Sequence, residues 1–590
     1  MAVPQNCTVL VIGGGPAGSY AAAVLAREGI DVVVLEADKF PRYHIGESTL
    51  PSLRHFFKFI DFYDAFNAYG FFHKNGASFR LNQSQPDVCK FAPHLAHFHT
   101  DFIAAGGTEG YAWNLLRSES DDLLFRHAGT CGAHIFDVTR VDAIQFAPHD
   151  CDSSLGSEHS KPESNPGRPV SATWSQRDST SGVITFKYLI DASGRHGILS
   201  TKYLKNRNFN QNFKNIANWG YWKGDKLYGT GTHMEGSPYF EALEDASGWC
   251  WFMPLHDGTR SVGIVQDQQM ATNKKREQRS PSTLEFYKQS LELAPRTKSL
   301  LEGAELVTDI KSASDWSYTA STYHLPYARI CGDAGCFIDP LFSSGVHLAI
   351  TGGLSAAVTI ATSLRGNGDC DEQTAGSWHS KKTVESYTRF FLAVCSATKQ
   401  IRSQEEPIIQ DMNEEGFQRA FDLLQPIIQG TVDADSTGKL TPSKVSKTLE
   451  FCFKAFTFVP PEKKDALFDK LKKLGVDSGD ADSARAVEDI KTYLTSEESQ
   501  ILDILRSRRM IREDPFEIES FTLDSIDGLA PNLERGKLGL VKADKSKFNA
   551  PLLYSTPFLD GRFPTIRDDS DTGAPAACSL RGPDVGSIAC

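Results

Sequence analysis

The spacing Gly13-x-Gly15-x-x-Gly18 follows the apolar run Thr8-Val9-Leu10-Val11-Ile12 and opens an alanine-rich stretch. Glycines so spaced permit a tight turn, a close approach of backbone to a pyrophosphate, and close packing of the next helix. The free N–H groups of that helix then face the phosphates. Gly14 and Ala17 belong to the same turn and helix start. Glu36 lies 23 residues after Gly13, at the end of the next apolar run, where a carboxylate can accept from ribose hydroxyls. Two later turns set an acid beside glycine: Asp191-Ala192-Ser193-Gly194, and Gly332-Asp333-Ala334 after the apolar run Tyr327 to Cys331. This is the chemistry of dinucleotide binding. The glycine motif alone does not say which dinucleotide.

The elements that must hold these residues read as strand, glycine turn, helix and strand over residues 8–36, a βαβ unit and so the start of a parallel sheet. Residues 150–182 are rich in Ser, Pro, Gly and Asp and read as a mobile surface insertion, with the fold resuming at Val183. Residues 215–265 alternate apolar and polar with many aromatics, the pattern of antiparallel strands. From about 345 onward the spacing is helical, including Ala484–Arg512. The expected organisation is an α/β fold. A nucleotide-binding unit over 1–350 is interleaved with an antiparallel substrate sheet (about 70–115 and 200–325), followed by a mostly helical region over 351–562 and a loosely held tail at 563–590.

The paired Asp/Gly turns, in this order behind the glycine motif, resemble the FAD motifs of the p-hydroxybenzoate-hydroxylase-like flavoproteins. That resemblance implies a Rossmann-type FAD-binding domain, with Asp333 at the ribityl chain and phosphate. Arg117-Ser118-Glu119-Ser120-Asp121 looks like the R-x-x-F-D segment of that group, Ser120 replacing the usual aromatic, and it makes Arg117 a cofactor residue. Gly46-Glu47-Ser48, within Phe40 to Ser48, resembles a flavin-contacting turn and assigns Glu47 to the cofactor.

Three segments resemble FAD-dependent halogenases more narrowly. Trp249-Cys250-Trp251-Phe252-Met253-Pro254 is similar to the W-x-W-x-I-P element, whose tryptophans wall off the site. Lys74-Asn75-Gly76-Ala77-Ser78-Phe79 is similar to the K-x-G-x-x-F element around a catalytic lysine. A lone lysine is ordinarily a solvated surface charge. Within this motif the resemblance implies that Lys74, tuned by burial, holds hypochlorous acid or is chlorinated and aims electrophilic chlorine at one carbon. Gly332 to His347 is similar to the segment that holds chloride beside the flavin, which implies Ser344 and Gly345 as halide residues and Val346 against the flavin. A halide needs N–H donors without a competing carboxylate, and a Ser-Gly turn opening a helix offers them. His347 reads as a packed helix residue.

One departure bears on substrate. Halogenases of tryptophan carry a glutamate just before the Ser-(Ser/Thr)-Gly turn, where this chain has Phe342. A phenol activates its own ring and needs that carboxylate less. The resemblance, specific over about residues 1–350, is therefore to the fungal halogenases of phenolic polyketides. It implies an enzyme of secondary metabolism using reduced FAD, dioxygen and chloride. With no second dinucleotide motif, a separate flavin reductase is expected to supply FADH2. An aromatic hydroxylase or epoxidase on the same scaffold is the alternative.

Composition sets the outer bounds. The 590 residues are 40% apolar and 23% charged, ordinary for a packed protein, and the net charge of −12 offers no basic footprint for nucleic acid. The 12 cysteines form no C-x-x-C and no zinc spacing, so a cytoplasmic protein with reduced thiols and no metal is expected. Asp433-x-Asp435-x-Thr437-Gly438 imitates half a calcium loop, but Lys444 stands where that loop needs a bidentate glutamate. Val346 to Leu364, interrupted by His347 and Gly352-Gly353, reads as a buried helix and not as a membrane span.

Overall fold

The computed structural model describes residues 2–81, 98–102, 110–147, 166–210, 213–314, 316–366, 370–402, 491–509 and 526–543, with single residues between 463 and 473. Its first sheet runs His324–Leu325, Ala328–Ile330, Ser181–Asp191, Asn6–Ile12, Val32–Leu35 and His134–Phe136. The inner pairings are parallel. Val9, Leu10 and Val11 are fully buried, as are Val32, Val33 and Val34. Strands covered on both faces need such unbroken apolar runs.

The register decides where the site forms. Ile12 stands opposite Leu35 on one side and Asp191 on the other, and Asp191 stands opposite Ile330. Four strands therefore end together. They release Gly13, Glu36, Ala192 and Cys331 at one edge, the carboxyl edge where open parallel sheets bind ligands.

Helix Pro16–Arg27 starts at that edge, with Gly15 extended at its N-cap and Pro16 in its first turn. Proline is suited there because its missing N–H would have no helical partner. The helix packs on Gly345–Arg365 so tightly that a Cβ on Gly353 would stand 2.5 Å from the Ala17 carbonyl oxygen. Gly345–Arg365 is long and apolar enough to cross a membrane by composition, yet 89% of its apolar 18-residue window is buried within the protein, between Pro16–Arg27 and Glu372–Arg402.

The second sheet runs Glu305–Leu306, Asn215–Lys223, Thr259–Asp267, Gly248–Pro254, Tyr239–Ala242, Gly76–Arg80 and Phe98–Asp101, with Lys311–Ser314 also on Asn215–Lys223. Its pairings are antiparallel except Tyr239–Ala242 with Gly76–Arg80, which is parallel. Gly263 makes room for its tryptophans: a Cβ there would stand 2.2 Å from the Trp251 ring and 2.6 Å from Trp219. Phe72–Lys74 is not part of this sheet and pairs with Ala112–Asn114 in a separate two-stranded ribbon.

One expectation is corrected and another gains a detail. Within the insertion expected over 150–182, Arg168–Gln176 is a strand, paired with Thr139–Ala147 and with Ser181–Asp191. Its Ser- and Thr-rich composition hides an alternation that buries Ala172 and Trp174. Within the region expected to be mostly helical, Leu529–Asn532 and Gly539–Lys542 form a short hairpin. It docks on the Gly345–Arg365 helix, where the Leu540 amide donates to Thr362 Oγ1 at 2.7 Å. Helices Glu372–Arg402 and Ser496–Arg509 are present, while the calcium-like segment and the 563–590 tail lie outside the described residues.

The Gly353 contact yields a test. Glycine to alanine in an exposed helix interior gains about 1 kcal/mol of propensity. Here overpacking costs about 1–3 kcal/mol, so Gly353→Ala should lower the thermal midpoint. A rise would refute the tight helix contact.

Candidate active site

A single cavity of about 590 Å³ runs along the carboxyl edge of the first sheet to the tryptophan face of the second. At one end lie Gly13, Gly15, Ala17 and Glu36; toward the other lie Glu47, Ser48, Trp249, Trp251, Ser343, Gly345 and Val346. Arg117 and Asp333 line it between. The volume lies in the range of ligand-sized pockets.

The first end suits a pyrophosphate. Gly13 has φ +102°, and a Cβ there would stand 2.3 Å from the Ala192 carbonyl oxygen, so only glycine makes this turn. Gly14 and Gly18 are off the cavity wall: added Cβ atoms would strike the Phe125 ring at 2.7 Å and the Gly13 carbonyl at 2.0 Å. Close packing requires glycine at both. Glu36 takes the Gly14 amide at 2.6 Å and the Asp38 amide at 2.8 Å. Arg42 Nη1 reaches Asp121 at 3.1 Å, and its Nε lies 3.9 Å from Glu36. A Cβ on Gly15 would meet Arg42 Nη2 at 3.3 Å, so the guanidinium reaches over the phosphate turn.

The middle of the cavity is held by Arg117. Its Nε and Nη2 donate to Asp121 at 2.8 and 3.0 Å, and its Nη1 donates to the Ile45 and Gly46 carbonyls at 2.9 and 3.3 Å. Burial opposes both charges. The pair still keeps the Asp121 carboxyl below and the Arg117 guanidinium above their ordinary ranges, because each stabilises the other. Arg117 thus fixes the Gly46-Glu47-Ser48 turn. Burial raises Asp333 to about 6 against the pull of Arg117, Arg195 and Arg207. Burial likewise raises Glu47 to about 7 against Ser261, Tyr221 and Arg117, while Asp257 adds to the rise.

At the far end, Pro340–Phe342 forms a single 3₁₀ turn capped by Asp339, whose carboxylate accepts from the Leu341 amide at 3.2 Å. Ser343 then takes φ +57°, a left-handed conformation costly for a residue with a Cβ. This bend starts the helix Gly345–Arg365 at the cavity wall. Gly345 is exposed there, and a Cβ on it would meet no atom within 4 Å. Ser344 is buried and off the wall; the wall residues of the turn are Ser343, Gly345 and Val346. First-turn amides without helical acceptors, with no carboxylate among Ser343, Ser344 and Gly345, suit an anion.

The family model described as tryptophan halogenase matches residues 8–115 and 173–391 of the chain. A sulochrin halogenase of Aspergillus terreus is 51% identical over 94% of this chain and 96% of its own length. A flavin-dependent halogenase of Acremonium egyptiacum is 51% identical over 92% and 94%. Among solved structures, the flavin-dependent halogenase CmlS shares 26% identity at a TM-score of 0.58, over 80% of this chain and 78% of its own. The myxobacterial chondrochloren halogenase CndH has the same fold, at a TM-score of 0.58 and 24% identity over 76% of this chain and 97% of its own.

The chain belongs to the tryptophan halogenase family and is a flavin-dependent halogenase. Its cofactor is FAD. The residues of the cavity fit that group: a glycine turn no side chain could make, Arg42 beside it, Arg117 midway along, and tryptophans toward the far end.

In this halogenase Lys74 is 1% exposed. Its Nζ donates to Ser48 Oγ at 2.9 Å and to the Thr49 carbonyl at 3.0 Å, and lies 5.2 Å from the Phe102 ring centroid. Lys74 itself is off the cavity wall, reached through Ser48, which is on it. Burial alone pushes its pKa down to about 7. Phe342, where a glutamate was absent from the motif, packs on Phe79 at 5.4 Å, and Phe79 stacks on Phe240 at 4.7 Å. His347 is buried, its Nδ1 sharing a hydrogen bond with Ser52 Oγ at 2.9 Å. Among the described residues no His/Cys/Asp/Glu cluster could hold a metal.

Sequence reasoning missed Arg42, Ser48, Tyr221 and Ser343. Arg42 and Ser48 lay within the quoted Phe40 to Ser48 run, and a basic residue near a phosphate turn is a usable signal. Ser343 lay within the quoted Gly332 to His347 run, whereas Tyr221 carries no sequence signal for its position.

Burial of Lys74 makes stability depend on pH. Between pH 7 and 10.5 the folded amine has released its proton while the unfolded one keeps it. Stability therefore rises with pH across that window. Against Lys74→Met, wild-type denaturation midpoints should rise from pH 7 to pH 10. Parallel curves for the two proteins would contradict it.

Proposed function

We propose that this halogenase chlorinates an electron-rich phenolic ring, of polyketide origin, with Lys74 directing the chlorine. The observation that carries the reading is the buried Lys74 amine beside Ser48 at the cavity wall. A pKa near 7 leaves the amine partly neutral at physiological pH. A neutral amine can take up electrophilic chlorine or hydrogen-bond hypochlorous acid, whereas an exposed ammonium would do neither well.

FAD, when bound and reduced, supplies the electrons with which dioxygen converts chloride to hypochlorous acid. Gly13, Gly15, Ala17, Glu36, Arg42, Arg117 and Asp333 would hold the cofactor, and Glu47 and Val346 would border it. Ser344 and Gly345 open the helix whose first amides would hold chloride, with Gly345 facing the cavity. Trp249, Trp251 and Met253 line the wall opposite, apolar surface that excludes bulk water. At the ring, a carbon ortho or para to the hydroxyl takes chlorine, the phenolic oxygen stabilises the cation, and the ring proton leaves as water forms. Phe342 in the aromatic cluster of Phe79 and Phe240 supports a substrate that needs no carboxylate there. The similarity to a sulochrin halogenase supports the same class.

A separate flavin reductase would deliver FADH2. The buried thiols of Cys7, Cys250, Cys331, Cys336 and Cys370, none in a disulfide, support a cytoplasmic location.

The enzyme supplied with reduced FAD, oxygen, chloride and a phenol should give product with the chlorine isotope pair. Lys74→Ala should bind FAD and consume oxygen normally while chlorination falls at least about 100-fold, the lower range for a positioned catalytic group. Retained chlorination would sink the role of Lys74. An oxygenated product indifferent to chloride would favour hydroxylation.

A further inference from the structure

Halogenation from chloride, dioxygen and reduced flavin has a proton requirement. For each C–Cl bond, two hydrogens from the flavin, one from the ring and one proton from solvent leave as two waters. One proton must therefore enter a cavity walled by tryptophans.

Glu47 is 2% exposed, and its Oε2 lacks a formed hydrogen bond among the described residues. Its Oε1 accepts a short hydrogen bond from Tyr221. The Tyr221 hydroxyl shares a hydrogen bond with the Tyr43 hydroxyl at 3.0 Å, and Trp219 Nε1 donates to Tyr43 at 2.7 Å. Tyr221 is 7% exposed, whereas Tyr43 is 49% exposed. Tyr43 lines both the main cavity and an open surface cleft formed with Lys39, Arg42 and Arg177. Trp219 as donor leaves Tyr43 to donate onward to Tyr221, and Tyr221 to donate to Glu47. A phenol oxygen has one donor and two acceptor sites. Tyr43 thus keeps one lone pair for a water.

We propose that Tyr43, Tyr221 and Glu47 form a proton path from the surface cleft into the halogenation cavity, with Glu47 as the inner carrier. The proposal deepens the halogenase reading and rests on it. In one passage a water-borne acid gives a proton to the Tyr43 oxygen. Tyr43 passes its own proton to Tyr221, and Tyr221 passes its own to Glu47 Oε1. The carboxyl then releases a proton to an oxygen acceptor in the cavity. No atom is oxidised or reduced along the path; the oxidant and reductant are the dioxygen and FADH2 of the established reaction.

The charges around the path suit this use. Glu47 faces Arg117 from helix Arg117–Thr130, Asp257 from the turn before Thr259–Asp267, and the hydroxyls of Ser261 and Tyr221. Arg117 is itself shared with Asp121 and Asp333. Tyr43 carries Lys311 Nζ over its ring at 4.2 Å. Glu47 titrates at about 7 in this setting, matched to a carrier that must both load and release near neutrality. A purely structural carboxylate would be held ionised by its arginine, as Asp121 is.

The test uses full-length protein with FADH2, oxygen, chloride and an electron-rich phenol. It reads chlorinated product per oxygen, hydrogen peroxide, solvent deuterium isotope effect and rescue by imidazolium buffer. A second arm follows the Glu47 carboxyl of flavin-free protein by infrared difference titration. Tyr43→Phe should keep FAD affinity and melting temperature, and Tyr221→Phe should keep FAD affinity with a modestly lower melting temperature, since it unpairs a buried carboxylate oxygen. Chlorination should slow by about 10- to 100-fold, with oxygen diverted to peroxide, a larger isotope effect and partial rescue by imidazolium. Tyr221→Phe should also raise the Glu47 midpoint, since it removes a donor to the carboxylate. Variants with wild-type rate and coupling would overturn the path, as would slow variants with an unchanged isotope effect and no rescue. If the wild type chlorinates no phenol, the phenol reading fails, and the infrared arm still decides the path: an unmoved Glu47 midpoint in Tyr221→Phe overturns it.

Discussion

The parallel ladder that sets Ile12 against both Leu35 and Asp191, and Asp191 against Ile330, is the constraint on which the site depends. Parallel hydrogen bonding fixes where each strand stops, and a slip of one residue would turn every side chain to the opposite face. Because four strands stop together, the Gly13 turn, Glu36 and Asp333 come to one edge from residues more than 300 positions apart. Apolar burial enforces that register. Val9, Val11 and Val34 point into one core, while Leu10, Ile12, Val33 and Leu35 point into the other.

Around that edge the protein hides ionisable groups from water and gives each a different set of partners. Asp121, paired twice with Arg117, stays ionised in spite of burial. Glu47 and Asp333, with weaker compensation, are raised to about 7 and about 6. Lys74, with hydroxyl and carbonyl partners but no carboxylate, is lowered to about 7. Desolvation pushes acids up and amines down, and only a well-placed opposite charge reverses it. Groups of opposite type brought toward neutrality in one region can exchange protons at working pH.

Much of this was legible in the chain itself. The glycine spacing, the apolar run before it and Glu36 announce a phosphate turn because their geometry is local. The Trp249–Pro254 and Gly332–His347 segments were legible only through their resemblance to halogenase elements. Composition misled where it hid periodicity: Arg168–Gln176 reads as a polar insertion, yet its alternate residues are buried. The hairpin at 529–542 was hidden because its strands are short and gain stability only by docking on the Gly345–Arg365 helix. Gly14 and Gly18 were placed with the cofactor by motif, but what they touch is Phe125 and the Gly13 carbonyl.

The sequence by itself determined the chemistry available: a dinucleotide turn, a lysine in a narrow motif, a carboxylate-free turn at a helix start, and Phe342 in place of an acid. These follow from residue type and short spacing, which local backbone geometry preserves. Tertiary structure alone decided which groups meet and how they ionise. Tyr221 reaches Glu47 because Asn215–Lys223 crosses the cavity in register with Thr259–Asp267. Lys74 is lowered because its short ribbon is buried beside Ser48. Both depend on contacts distant in sequence and on the exclusion of water, which spacing along the chain does not encode.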